Sequence, residues 1–230
     1  MIRCHFSPSG PVLAAAILSA GLLAALPAQA VLNSNVTVTL SAPGGVVGNP
    51  VAITAVDLVS PGASIEIKTG DGTNFGSNML MGELINFAGD SILVRVAAGA
   101  LNASGQPITG LLGSGSSHAM YSFVNLAPAG QQITGITLGA GDGFTFGGFN
   151  GVDSPASPGS YIHLASPTSV TFDLDTLVFK DRGNGQSKNF GEFRIDLTLA
   201  SAVPEPAQAG LFAVGLLVLC AGHLRQRRAR

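Results

Sequence analysis

Through the middle of the chain, apolar and polar residues alternate with a period of two. Asn35–Leu40 sets Val36, Val38 and Leu40 against threonines, and Ser64–Thr69 sets Ile65 and Ile67 against Glu66 and Lys68. Ser169–Phe179 places Phe172, Leu174, Thr176 and Val178 on one face and Thr171, Asp173, Asp175 and Leu177 on the other. Glu192–Leu199 aligns Phe193, Ile195, Leu197 and Leu199. Successive side chains of a strand point to opposite faces, so each stretch predicts a strand with one buried side. Val51–Val59, Leu84–Phe87, Ser91–Val96, Ala119–Leu126, Ile133–Leu138, Phe144–Phe149 and Tyr161–Leu164 predict further strands.

Clusters of turn formers separate these runs: Ala42–Pro50, Thr69–Gly76, Gly139–Gly143, Asp153–Ser160 and Asp181–Gln186. No helical stripe of ten or more residues interrupts them, and only Ser77–Phe87 reads ambiguously. Turn spacing is irregular, which disfavours a solenoid or propeller. About ten short antiparallel strands predict an all-β fold, a single jelly-roll-like β-sandwich with under a tenth helix.

The two ends break the pattern. Arg3 precedes an apolar stretch from Pro11 to Leu26, and Ala28 and Ala30 then stand as small residues for cleavage. That order predicts a secretory signal peptide over 1–30, with signal peptidase as a partner. At the other end, Pro204 and Pro206 fix φ and bias Val203 and Glu205 toward extended backbone. Residues 207–224 are apolar, and as helix they span about 27 Å at ~1.5 Å per residue, enough to cross a bilayer. Arg225, Arg227, Arg228 and Arg230 follow and predict a cytoplasmic C-terminus. The expected organisation is thus 1–30 signal peptide, 31–202 ectodomain and 203–230 tail.

Charge and cysteine narrow the ectodomain's chemistry. Cys4 lies in the signal and Cys220 in the tail, so 31–202 has neither disulfides nor Cys-ligated metal. Setting aside Glu205, Arg3 and the four tail arginines leaves 12 acidic and 6 basic residues, a net charge of −6. Without a basic stripe, nucleic acid is not an expected partner. Charged residues number only 18 of 172 there, below the usual ~25%. Solubility then rests on Ser, Thr, Asn and exposed backbone.

Catalytic motifs are absent, and neither enzymatic activity nor a cofactor is expected. Asp173 and Asp175 share a predicted strand face in a spacing that suggests a glycosidase pair, but two neighbours on one open face read as solvated surface. His118 stands beside serines without a legible orienting acid or oxyanion hole. His163 alternates with Tyr161 on an expected outward face, and both histidines read as ordinary strand residues. No metal is expected either. The nearest approach to a calcium ligand set comes from Asp71 with Asn74, Asp142, Asp153, and Asp181 with Asn184, all in Gly-rich turns. None has the spacing of a calcium loop, and Asx turns account for each. The ectodomain has no Trp and only Tyr121 and Tyr161 as amphipathic aromatics, which argues against a dedicated sugar-stacking module.

The C-terminal order of Val203-Pro204-Glu205-Pro206, apolar segment and arginine cluster resembles the PEP-CTERM sorting signal of Gram-negative bacteria. The resemblance covers residues 203–230 and does not bear on the fold of 31–202. It implies recognition by an exosortase, a transient membrane anchor, and final location at the cell surface or outside the cell. It further implies a surface or matrix component in organisms that make exopolysaccharide, which is then a candidate partner. Two function classes follow: a non-catalytic structural protein of this kind, or a carbohydrate-active or Ca²⁺-dependent binding domain whose residues converge only in three dimensions.

Overall fold

The computed structural model describes residues 32–33, 35–62, 66–139, 151–183 and 189–202. It is all-β, with antiparallel pairing throughout. In chain order the strands are β1 (Val36–Ala42), β2 (Gly45–Val46), β3 (Ile53–Val59), β4 (Ile67–Lys68), β5 (Leu84–Ala88) and β6 (Ser91–Ala97). They continue with β7 (Ala100–Leu101), β8 (Pro107–Ile108), β9 (Leu111–Leu112), β10 (Met120–Val124) and β11 (Gln131–Gly139). Completing the set are β12 (Val152–Ser154), β13 (Ile162–Ser166), β14 (Ser169–Asp173), β15 (Val178–Phe179) and β16 (Phe190–Ser201). One short helix, α1 (Asn74–Asn78), and a 3₁₀ turn at Pro158–Ser160 account for the described helix.

Two five-stranded sheets carry the architecture, in the orders β13-β14-β10-β1-β3 and β11-β16-β6-β5-β4. Their inner faces share one core. Val36, Val38, Leu40, Tyr121, Phe123, Val170 and Phe172 come from the first sheet, and Ile85, Ile92, Val94, Val96, Phe193 and Ile195 from the second. Aromatic rings lock the two together: Phe172 lies 4.8 Å from Phe193 and Phe87 6.1 Å from Phe123, both edge-on. A four-stranded sheet, β12-β15-β8-β7, and the ribbon β2-β9 complete the set.

The alternation at Val36–Leu40 and Phe193–Leu197 is observed as read, with the named apolar residues buried. Ser77–Phe87 resolves into the end of α1 and most of β5. Of Ser64–Thr69 only Ile67 and Lys68 are strand among the described residues, and Ile65 lies outside them. Phe144–Phe149 lies outside them too.

Two expectations are corrected. Ser169–Phe179 is not one strand: β14 ends at Asp173, where the Leu174 amide donates to the Ala119 carbonyl at 2.7 Å, and the chain turns before β15. The turn shifts the alternation by one residue. Leu177, expected on the polar face with Asp173 and Asp175, is therefore fully buried, and so is Leu174. Asp173 itself is buried, so the two aspartates do not form an open solvated pair. Tyr161 caps the 3₁₀ turn and is buried, while His163 is exposed, so the two do not share an outward face.

Candidate functional site

The two sheets leave an open margin between their edge strands β3 and β4, and α1 lies there against both. Beside it is a cleft of about 250 Å³, lined by Asp57, Leu58, Val59, Glu66 and Thr73 among others. Asp57 reaches it because its place opposite Val38 puts it on the inner face of β3. There its Oδ2 accepts the amide of Phe75 at 2.6 Å, in the first turn of α1. Glu66 stands just before the two-residue strand β4. Its Oε2 accepts the Phe87 amide at 2.8 Å, a β5 group that lies beyond the reach of β4, and its Oε1 accepts from Gly62 at 3.1 Å.

The loop into α1 is closed by Asp71. Oδ1 accepts from the Thr73 amide at 2.9 Å and its hydroxyl at 2.6 Å, and Oδ2 accepts from the Lys68 amide at 2.9 Å. Thr73 Oγ1 in turn accepts the Gly76 amide at 2.9 Å and caps the helix. A Cβ on Gly76 would stand 2.2 Å from Asp71 Oδ1 and 2.6 Å from the Lys68 carbonyl, so glycine is required for the loop to close. Burial pushes the Asp71 carboxyl up, but the hydrogen bonds from Thr73 and Lys68 outweigh it and hold the group below its ordinary range.

Behind the cleft lies a residue that pattern reading passes over. Glu83 is 1% exposed, and its carboxylate accepts from the Ala97 amide at 3.0 Å, the Leu80 amide at 2.8 Å and the Tyr121 hydroxyl at 2.8 Å. Tyr121 belongs to the first sheet and Ala97 to the second, so one carboxylate ties both. Burial raises its pKa to about 7 against the opposing pull of its three donors, and burial likewise raises Tyr121 well above its ordinary value.

Asp57, Glu66, Asp71 and Glu83 thus share one job: each carboxylate accepts backbone amides that the ladders leave unpaired. Asp181 does the same in its turn, accepting from the Gly183 amide at 2.8 Å. Among the described residues no group of three or more Asp, Glu, His or Cys side chains is arranged to hold a metal ion. Asp153 is exposed on β12, Asn74 is exposed at the start of α1, and Asp142 and Asn184 lie outside the described residues.

The histidines gain partners that sequence distance concealed. His118 sits in the loop before β10 rather than on a strand, and its Nδ1 lies 3.0 Å from Asp175 Oδ1. That hydrogen bond, then the charge of Asp175, raises the His118 pKa. His163 Nε2 lies 3.3 Å from Asp173 Oδ2. An Asp-oriented imidazole is one part of a nucleophilic triad, but among the described residues no serine hydroxyl is hydrogen-bonded to His118. Ala28, Ala30, Val203, Pro204, Glu205, Pro206, Arg225, Arg227, Arg228, Arg230 and the apolar segment 207–224 all lie outside the described residues. No family model, curated protein or solved structure matches the chain.

Proposed function

We propose that this is an exported, exosortase-sorted structural protein of the cell surface or extracellular matrix, associated with exopolysaccharide and without catalytic activity. The carrying observation is the C-terminal order of Val203-Pro204-Glu205-Pro206, an apolar 18-residue segment and four arginines. In this reading signal peptidase releases the chain near Val31. The C-terminal helix then holds it in the inner membrane, with the stiff acidic tripeptide on the same side as the ectodomain. A permanent anchor needs only the helix and the arginines, so the tripeptide favours recognition and removal. We read the two five-stranded sheets as a jelly-roll-like β-sandwich spanning 31–202. Use of the acidic side chains as backbone acceptors supports a structural role over a catalytic one.

Intact-mass analysis of surface-fraction protein from the native host tests this. The expected product starts near Val31 and ends near the Pro-Glu-Pro, and Glu205→Ala leaves the uncut form in the inner membrane. A full-length tail in the final product would sink the sorting reading. The cleft beside α1 motivates one alternative, Ca²⁺-dependent or carbohydrate binding. Saturable binding on a glycan array or in a Ca²⁺ titration, lost in Asp71→Ala, would favour it.

A further inference from the structure

The margins of the two sheets are not equally protected. β4 is two residues long, and β13 and β11 each carry an irregularity, between Leu164 and Ser166 and between Ile133 and Gly135. Such short or bulged edges resist pairing with another chain. β3 is different. It pairs with β1 in unbroken register over all seven residues, and beyond that ladder no backbone bond reaches it from the described residues. Its other edge therefore offers a row of N–H and C=O groups without a backbone partner among the described residues, about 24 Å long at ~3.4 Å per residue, with α1 and the cleft on the inner side of its Asp57–Val59 end. Pro50 and Pro61 flank the segment and confine any added pairing to it.

The side chains say what kind of strand fits. Thr54, Val56 and Leu58 share the outer face, with Leu58 69% and Val56 46% exposed. The strand's single charge, Asp57, is on the inner face and is bonded to the Phe75 amide. An acidic or basic partner strand finds no complement here, whereas a neutral Thr/Val/Leu strand does. The outer face of β3 is itself of this kind, and the strand's one charge is turned inward. We propose that β3 pairs antiparallel with the β3 of a second copy of this chain, about a two-fold axis through Val56.

That register sets Val56 beside its own copy, Leu58 beside Thr54 of the second copy, and Asp57 beside Ala55. No pair then sets two charges against each other across the new seam, since each Asp57 faces an alanine. An axis through Asp57 would instead oppose two carboxylates, which is destabilising. The contact is isologous and closes on itself, giving a dimer rather than a fibre. One strand pair buries well under the ~1,200 Å² of a standard stable interface, so the dimer is weak and forms where the protein is concentrated.

Cross-linking tests it. In the full-length chain, purified in detergent with Cys4→Ser and Cys220→Ser, Val56→Cys places the two thiols opposite each other. Directly opposed Cα atoms of antiparallel strands are about 4.5–5.5 Å apart, within disulfide reach. Mild oxidation is expected to give a disulfide-linked dimer with Val56→Cys and not with Leu164→Cys on the opposite edge. In sedimentation, Val56→Lys is expected to weaken self-association by roughly 10-fold or more, since like charges would face each other at the axis. Leu164→Lys is expected to leave it unchanged. Val56 is half exposed, so both variants should keep a strand-rich circular-dichroism spectrum. Cross-linking no faster at 56 than at 164, or wild-type self-association in Val56→Lys, would overturn the proposal. A chain that stays monomeric at high concentration would do the same and leave the edge to a different partner.

Discussion

Glu83 and Glu192 are both withdrawn from solvent, at 1% and 0% exposure, and they are held in opposite ways. Among the described residues Glu83 has no cation beside it. Two amides and a tyrosine hydroxyl supply its hydrogen bonds, and its pKa rises to about 7. Glu192 stands on β16 directly across from Arg95 on β6, whose Nε donates at 2.9 Å and whose Nη2 donates to the same oxygen. Its second oxygen, Oε2, is buried without a partner. The Arg95 guanidinium also lies over the Phe190 ring, 5.0 Å from its centre. Neutral donors satisfy a buried carboxylate geometrically yet leave its charge costly. A guanidinium offsets the charge even where one oxygen stays unpaired.

The largest expected effect comes from taking away the cation. Arg95→Ala takes the hydrogen-bonded guanidinium from the buried Glu192 carboxylate, with Arg182 still acting on it electrostatically, and should lower unfolding free energy in a denaturant titration by about 3 kcal/mol. The double change Arg95→Met with Glu192→Leu should recover most of that loss. If Arg95→Ala cost no more than a surface substitution, the contrast between the two glutamates would collapse.

Next comes pH. Glu83 is raised in the folded state, so it binds its proton more tightly there than in the unfolded chain. Its contribution is fully present below about 4.5 and is lost as pH rises through about 7. The span between them corresponds to a fall on the order of 3 kcal/mol. Stability measured by denaturant at a series of pH values should fall across that range, and Glu83→Gln should flatten the fall. A slope that survives in Glu83→Gln would assign it to other groups.

Tyr121→Phe removes one of the three donors to Glu83 and should cost about 1–2 kcal/mol. It should also move the Glu83 midpoint further upward, which a carboxyl-resolved NMR titration would read. The smallest effect belongs to the pair of half-exposed His118 and part-buried Asp175. Asp175→Asn should lower the His118 pKa yet change stability by no more than about 0.5 kcal/mol. His118 stabilisation is present below its unfolded pKa and lost as pH rises through the folded one, the same direction as Glu83. Its titration by imidazole NMR therefore separates the two.

Strand positions were legible where alternation was uninterrupted. At Val36–Leu40 and Phe193–Leu197 burial alone decides the pattern, and a shift of one residue would bury threonine or charge. Ser169–Phe179 misled because the turn at Leu174–Thr176 carries no glycine or proline. The turn is closed by the Leu177 amide on the Leu174 carbonyl and fixed by the Leu174 amide on the Ala119 carbonyl, a partner 55 positions away in sequence. Glu83 gave no signal of its own: it falls in the ambiguous stretch Ser77–Phe87, where neither its burial nor its distant partners can be read from neighbouring residues.

Local order by itself determined the all-β class and the low charge of residues 31–202, and it carries the expectations for both ends, because these depend on residue types adjacent in the chain. Asp71 and Asp181 accept amides two residues on, as local Asx turns do, but tertiary structure alone decided what Asp57, Glu66, Glu83 and Asp175 do. Asp57 meets Phe75 18 positions on, Glu66 meets Phe87 after 21, Glu83 meets Tyr121 after 38 and His118 meets Asp175 after 57. Hydrogen bonding needs atoms within about 3 Å, and for partners so far apart in sequence only the folded arrangement of the strands supplies that proximity.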